Sequence, residues 1–101
     1  MFGNIISVYE VAGNIGKSDV VIIDIREEFK YDKEHIPGAI NIREDRIYDV
    51  IRQYIDFRLV ILYCDYGNAA MKIVREICDK YNCENIYNLY GGFNAYKNSK
   101  F

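Results

Sequence analysis

The apolar run at residues 59–63 (LVILY), which ends at Cys64, constrains the fold of this chain more than any other feature. Five consecutive apolar residues without alternation are typical of a strand that is buried on both faces of a parallel sheet. After a short loop, apolar residues recur at helical spacing from Ala70 to Tyr81, and charged residues occupy the opposite face. The segment therefore predicts a strand, a loop and a helix, with Cys64 at the carboxyl end of the strand.

The position of Cys64 between a strand and a helix predicts chemistry as well as packing. Asn68 is a candidate N-cap, whose side-chain oxygen would accept a hydrogen bond from the first turn of the helix. Amides of the loop and the first turn would then point at the Cys64 sulfur, and the helix dipole would add partial positive charge. These surroundings favour a thiolate over a thiol. We interpret Cys64 as a candidate nucleophile, and the alternative is a small buried core residue.

Strands and amphipathic helices alternate along the whole chain. The pattern predicts strands at residues 5–6, 20–23, 39–42, 59–63 and 85–89. It predicts helices from a Ser7/Glu10 capping box to about Gly16, over about one turn within residues 26–36, at residues 43–55, from the Asn68 N-cap to Tyr81, and at residues 93–97. This alternation predicts an α/β fold with a mainly parallel sheet of about five strands and helices on both faces. Ligands of such sheets bind beyond the carboxyl ends of the strands, where Cys64 is expected.

Composition narrows the classes of partner and the cellular location. The chain has 101 residues, half of them hydrophobic, which fits a single domain over residues 1–101. Its net charge of −2 and interleaved charges give no reason to expect nucleic acid or a membrane as partner. No apolar run approaches the length of a membrane span and residues 1–10 do not resemble a signal peptide, so we expect a cytoplasmic protein. Three cysteines without a C-x-x-C pair fit neither a disulfide framework nor a zinc site, and we expect no metal or cofactor.

Three other motifs have simpler structural interpretations. Cys78 lies on the apolar stripe of its helix and is expected in the core, and Cys83 has no neighbouring group that would activate it. His35 directly precedes a proline-containing turn, and we expect it to hydrogen-bond that turn rather than to act as a general base. Residues 13–18 (GNIGKS) match only half of a phosphate-binding loop, because Val11 stands where its first glycine would be.

Three segments of the chain resemble the single-domain rhodanese family. They are residues 24–27 (DIRE) with 35–42 (HIPGAINI), residues 63–67 (YCDYG), and residues 85–95 (NIYNLYGGFNA). The resemblance implies the rhodanese three-layer α/β sandwich and a cysteine that accepts a sulfane sulfur as a persulfide and passes it to a thiophilic acceptor. Cys64 matches this nucleophile. The loop whose amides cradle the sulfur, and which would bind the substrate, corresponds to Asp65, Tyr66, Gly67, Asn68, Ala69 and Ala70.

The loop departs from the family pattern in its charge. Members often carry a basic residue just after the cysteine and Arg-Ser further on, where this chain has Asp65, Ala69 and Ala70. At an effective dielectric constant near 20, one unit charge 4 Å from another contributes about 4 kcal/mol before screening by salt. A carboxylate here would repel thiosulfate, which is a dianion. The sequence therefore predicts a small persulfide or a donor protein as sulfur donor and a thiol as acceptor, and it does not indicate the oligomeric state.

The same loop bears on two alternative functions. Cysteine phosphatases and arsenate reductases need an arginine in this loop to hold the oxyanion, and residues 65–71 contain none. Arg26 could reach the site from another strand end, but a salt bridge with Asp24 or Glu28 is the preferred interpretation. A rhodanese-fold binding module without turnover, in which Cys64 is only a packed thiol, stays open as the second hypothesis.

Overall fold

A five-stranded parallel sheet forms the centre of the protein, whose structure is a computed structural model that describes residues 4–99. Its strands are β1 (Ile5–Ile6), β2 (Val20–Asp24), β3 (Ile40–Asn41), β4 (Leu59–Tyr63) and β5 (Ile86–Leu89). They lie in the order β1-β5-β4-β2-β3, and all neighbouring strands are parallel. The apolar run that ends at Cys64 therefore forms the central strand, which confirms the predicted parallel α/β sheet.

Helices cover both faces of the sheet. They are α1 (Val8–Asn14), α2 (Glu28–Lys33), α3 (Ile47–Val50), α4 (Asn68–Tyr81) and α5 (Gly92–Lys97), with a 3₁₀ turn at Ile51–Gln53 after α3. Alternate side chains of β2 and β4 pack against α3 and α4 on one face and against α1 and α5 on the other. The two cores confirm the three-layer arrangement. Within residues 4–99, no helix is long and apolar enough to cross a membrane.

The sequence prediction failed at the third helix. Residues 43–55 were expected to form one amphipathic helix, but only residues 47–50 are α-helical and a 3₁₀ turn follows. Four apolar residues of this segment, Ile47, Val50, Ile51 and Ile55, are β-branched, and such side chains lose rotamer freedom in a helix. Ile47 and Ile51 are fully buried, so the predicted stripe does face the core without a continuous helix. Burial, rather than helix propensity, sets the path of this segment.

The first helix begins as its sequence predicts. The Ser7 hydroxyl accepts a hydrogen bond from the Glu10 amide, and the Glu10 carboxylate accepts one from the Ser7 amide. This confirms the capping box. The helix ends at Asn14, and Val11 packs into the core rather than leading a phosphate loop.

Candidate active site

Cys64 lies at the floor of an open pocket at the carboxyl edge of the sheet. Its side chain follows β4 directly and only 8% of the residue is exposed. Because β4 pairs in parallel with β2, the end of β2 and the residues after it form the adjacent wall. The pocket has a volume of about 440 Å³ and is lined by Ile25, Arg26, Glu27, Lys30, Arg43, Glu44, Asp45, Cys64, Asp65, Tyr66, Asn68 and Ala69.

Two backbone amides donate hydrogen bonds to the Cys64 sulfur. The Gly67 nitrogen lies 3.1 Å from Sγ, and the Ala70 nitrogen, in the first turn of α4, lies 3.4 Å from it. Amides that converge on one atom at a helix N-terminus make a site for negative charge. The local geometry therefore suits an anionic sulfur, whether a thiolate or a persulfide.

The loop reaches this geometry through Gly67 rather than Asn68. Gly67 is the N-cap of α4, with φ of +103°, and Asn68 is the first helical residue with no capping hydrogen bond from its side chain. The predicted Asn68 cap is therefore wrong. A Cβ at Gly67 would lie 3.2 Å from the Gly91 nitrogen, so both the positive φ and this close approach require glycine.

The Gly91-Gly92 turn holds the loop from the other side. The Phe93 amide donates to the Cys64 carbonyl at 2.8 Å, and the Asn94 amide donates to the Asp65 carbonyl at 3.0 Å. Gly92 has φ of +63°, and a Cβ on it would lie 2.6 Å from the Cys64 carbonyl oxygen. The first turn of α5 therefore fixes the backbone that carries the thiol.

The Asp65 carboxylate has cationic neighbours that the sequence did not reveal. Lys30 Nζ lies 2.8 Å from Asp65 Oδ2, and this pairing raises the pKa of Lys30 above its ordinary value. Arg26 Nη1 lies 4.0 Å from Asp65 Oδ1. Lys30 is a partly buried residue of α2, and its spacing along the chain gives no signal of this contact.

Arg26 serves mainly as a structural anchor beside the site. It is buried, forms the predicted salt bridge with Asp24 at 2.7 Å, and donates to the Glu34 carbonyl at 2.7 Å. The Phe93 ring covers its guanidinium group, whose central carbon lies 4.2 Å from the ring centroid. The Asp24 partner is therefore confirmed, while Arg26 also lines the pocket through its remaining nitrogen.

The structure places the other candidate residues as follows. Asn68 and Ala69 line the pocket, Ala70 contributes its amide from a fully buried position, and Tyr66 is 68% exposed at the rim. His35 does not line the pocket. Its Nδ1 lies 2.8 Å from the carbonyl oxygen of Tyr31 in α2 and its ring stacks on that tyrosine, so the predicted hydrogen bond to the following turn is wrong.

The other two cysteines lie away from the pocket. Cys78 is buried, as predicted, and burial, followed by the neighbouring Cys83, raises the pKa of its thiol to about 11. All three cysteines are free thiols. Among residues 4–99, no three His, Cys, Asp or Glu side chains cluster in a way that could hold a metal ion.

Comparisons with known proteins agree with the fold. The thiosulfate sulfurtransferase GlpE of Coxiella burnetii is 26% identical over 83 residues, which cover 82% of this chain and 77% of that protein. The dual specificity phosphatase ibp1 of Schizosaccharomyces pombe is 27% identical over 106 aligned residues, covering 79% and 76% of the two chains. The crystal structure of a rhodanese-related protein from Thermoplasma volcanium superimposes with a TM-score of 0.76 at 21% identity, covering 93% of this chain and 90% of that one. Residues 7–99 match the rhodanese-like domain family over most of the chain, and this protein therefore belongs to that family.

Proposed function

We propose that this protein is a sulfurtransferase in which Cys64 carries a sulfane sulfur as a persulfide. The observation that carries the proposal is the pair of amide donors, from Gly67 and Ala70, on the Cys64 sulfur at the floor of an open pocket. These donors would stabilise the negative charge on sulfur both before and after transfer.

The reaction consists of two displacements at sulfur. The Cys64 thiolate attacks the outer sulfur of a donor persulfide R–S–SH, the donor S–S bond breaks, and its electron pair leaves with the thiolate RS⁻. An acceptor thiolate then attacks the outer sulfur of the Cys64 persulfide, takes it as a new persulfide, and regenerates the Cys64 thiolate. No redox partner is needed, because each S–S bond that breaks is replaced by another.

The charges around the pocket favour a persulfide donor over thiosulfate. Three cationic side chains and four anionic ones line the pocket, so its formal charge is not positive. Asp65 already engages Lys30, and a thiosulfate dianion would have to compete with that carboxylate for the lysine. A phosphatase would need a loop arginine to hold the charge of its phosphate substrate, and residues 65–71 contain none. The charge of the loop therefore argues against a phosphatase, although one relative is named a dual specificity phosphatase.

Intact mass spectrometry tests the carrier function. The protein, Cys64→Ser and the control Cys83→Ser are incubated with thiosulfate or, separately, with a cysteine desulfurase and cysteine. We expect a mass gain of one sulfur atom from the second donor, lost in Cys64→Ser and retained in Cys83→Ser. No gain from either donor, while an alkylating reagent still reaches Cys64, would favour the non-catalytic binding module instead.

The donor preference has its own test at Asp65. Asp65→Arg should increase the rate of sulfur loading from thiosulfate about tenfold, because it replaces repulsion by attraction at a partly exposed position. The persulfide donor serves as the reference in the same assay. An unchanged rate with thiosulfate would show that charge at this position does not select the donor.

A further inference from the structure

A second concave site adjoins the Cys64 pocket across Asp65. We call it the side groove; it has a volume of about 210 Å³ and is lined by Arg26, Lys30, Lys33, Glu34, Asp65, Tyr66, Phe93, Asn94 and Lys97. Four of these residues, Arg26, Lys30, Asp65 and Tyr66, also line the Cys64 pocket. The two cavities are therefore neighbouring lobes of one surface, and these four residues form the wall that they share.

The two lobes differ in charge. The side groove is lined by four cationic side chains and two carboxylates. The Cys64 pocket is lined by three cationic side chains and four carboxylates. The whole chain carries a net charge of −2, so the groove is a local concentration of positive charge on an acidic protein. An anionic group that approaches Cys64 would therefore be held beside the sulfur site rather than within it.

Some of the donors in the side groove are available for a ligand. Arg26 uses Nε and Nη2 for Asp24 and the Glu34 carbonyl, while its Nη1 makes no hydrogen bond within residues 4–99 and lies 4.0 Å from Asp65 Oδ1, its ion-pair partner. In the same part of the chain, Lys33 forms no ion pair. Lys97 pairs with Glu34 at 3.2 Å, but both side chains are about half exposed and such surface pairs contribute little.

We propose that the side groove binds the carboxylate of a small thiol-derived sulfur carrier while the sulfur of that carrier meets Cys64. This inference rests on the proposed function and names the chemical class of its substrate. The groove is smaller than the roughly 300–1,000 Å³ of pockets for drug-sized ligands, so it suits an amino-acid-sized substituent rather than a folded partner. Lys33 and Lys97 supply positive charge that attracts a carboxylate at this position.

A matched pair of donors tests the side groove. Glutathione persulfide and its diethyl ester carry the same reactive sulfur, but the ester lacks both carboxylate charges. We expect the free acid to load Cys64 about 5- to 10-fold faster, as two partly exposed ion pairs allow. The variant Lys33→Gln/Lys97→Gln should lose this preference, and Lys17→Gln, an exposed lysine that precedes β2 at the opposite edge of the sheet, should retain it.

A binding measurement separates this inference from the proposed function. Unreactive S-methylglutathione, titrated into the ¹⁵N-labelled protein, should shift the amide resonances of residues 33–34 and 94–97. Such shifts without any sulfur loading would retain the groove and overturn the carrier function. If the acid and the ester loaded Cys64 equally and these shifts were absent, the carboxylate-binding role of the groove would be overturned and the carrier function retained. If sodium phosphate caused equal shifts, the assignment of the groove to a carboxylate-bearing thiol would be overturned.

Discussion

Alanine substitutions at three glycines should separate two contributions to the free energy of unfolding. One is the strain of a positive φ, and the other is the steric clash of a new Cβ with a neighbouring backbone. Gly13 lies in α1 with open space around its Cα, and Gly38 has φ of +83° with equally open space. Gly92 combines φ of +63° with a Cβ position 2.6 Å from the Cys64 carbonyl oxygen and 2.7 Å from the Asp65 carbonyl. Because each variant adds the same methyl group, differences in stability come from these environments.

The structure gives an expected magnitude for each variant. Gly13→Ala should raise the free energy of unfolding by up to about 1 kcal/mol, because alanine is the better helix former. Gly38→Ala should lower the free energy of unfolding by about 1 kcal/mol, because alanine is strained in the left-handed backbone conformation. The lower conformational entropy of the unfolded alanine chain offsets part of this strain. Gly92→Ala should lower the free energy of unfolding by about 3–6 kcal/mol, because the added methyl group meets backbone and breaks the amide contacts of α5 to the Cys64 loop.

Urea denaturation followed by circular dichroism measures all three free energies of unfolding. Domains of this size have a total stability of about 5–15 kcal/mol, so Gly92→Ala should lie near the limit of folding. Sulfur loading of Cys64 is the second readout, and it should fall in Gly92→Ala and stay unchanged in Gly13→Ala. If Gly92→Ala cost no more than Gly38→Ala, the close approach of the turn to the Cys64 loop would carry no energy and the reasoning would be refuted.

Two further predictions concern buried polar groups on the α4 side of the sheet. The Asn88 side chain is 1% exposed and neither of its polar atoms has a hydrogen-bond partner within residues 4–99, an arrangement that costs about 1–3 kcal/mol. Asn88→Leu, of similar branched shape, should therefore raise the free energy of unfolding by about 1 kcal/mol in the urea assay, whereas a decrease as large as that of Asn88→Ala would contradict the argument. Cys78 has its pKa raised to about 11, so only about one thiol in a thousand is ionised at pH 8 and iodoacetamide should modify Cys64 and Cys83 well before it. Because the unfolded thiol ionises first, Cys78 should also make stability fall as the pH rises from about 8.5 towards 11, and peptide mapping that found Cys78 modified as fast as Cys83 would refute this assignment.

Local patterns predicted most of the fold, and contacts between distant segments explain what they missed. The strand before Cys64, the helix after it and the capping box of α1 each depend on neighbours a few residues apart, and these predictions are confirmed. The pairing of Lys30 with Asp65 joins residues 35 positions apart, and no periodicity encodes it. The helix expected at residues 43–55 failed because its periodic apolar residues are buried without needing a continuous helix.

The amide contacts from α5 also set an order of events during synthesis. β4, the Cys64 loop and α4 all precede α5 in the chain, yet the Cys64 and Asp65 carbonyls are held by amides of Phe93 and Asn94. A chain that grows from its amino end therefore completes the Cys64 loop only when residues 91–94 have left the ribosome and docked. Until then, the loop that carries the Cys64 thiol lacks both hydrogen bonds from α5, so the geometry around the sulfur is completed late in synthesis.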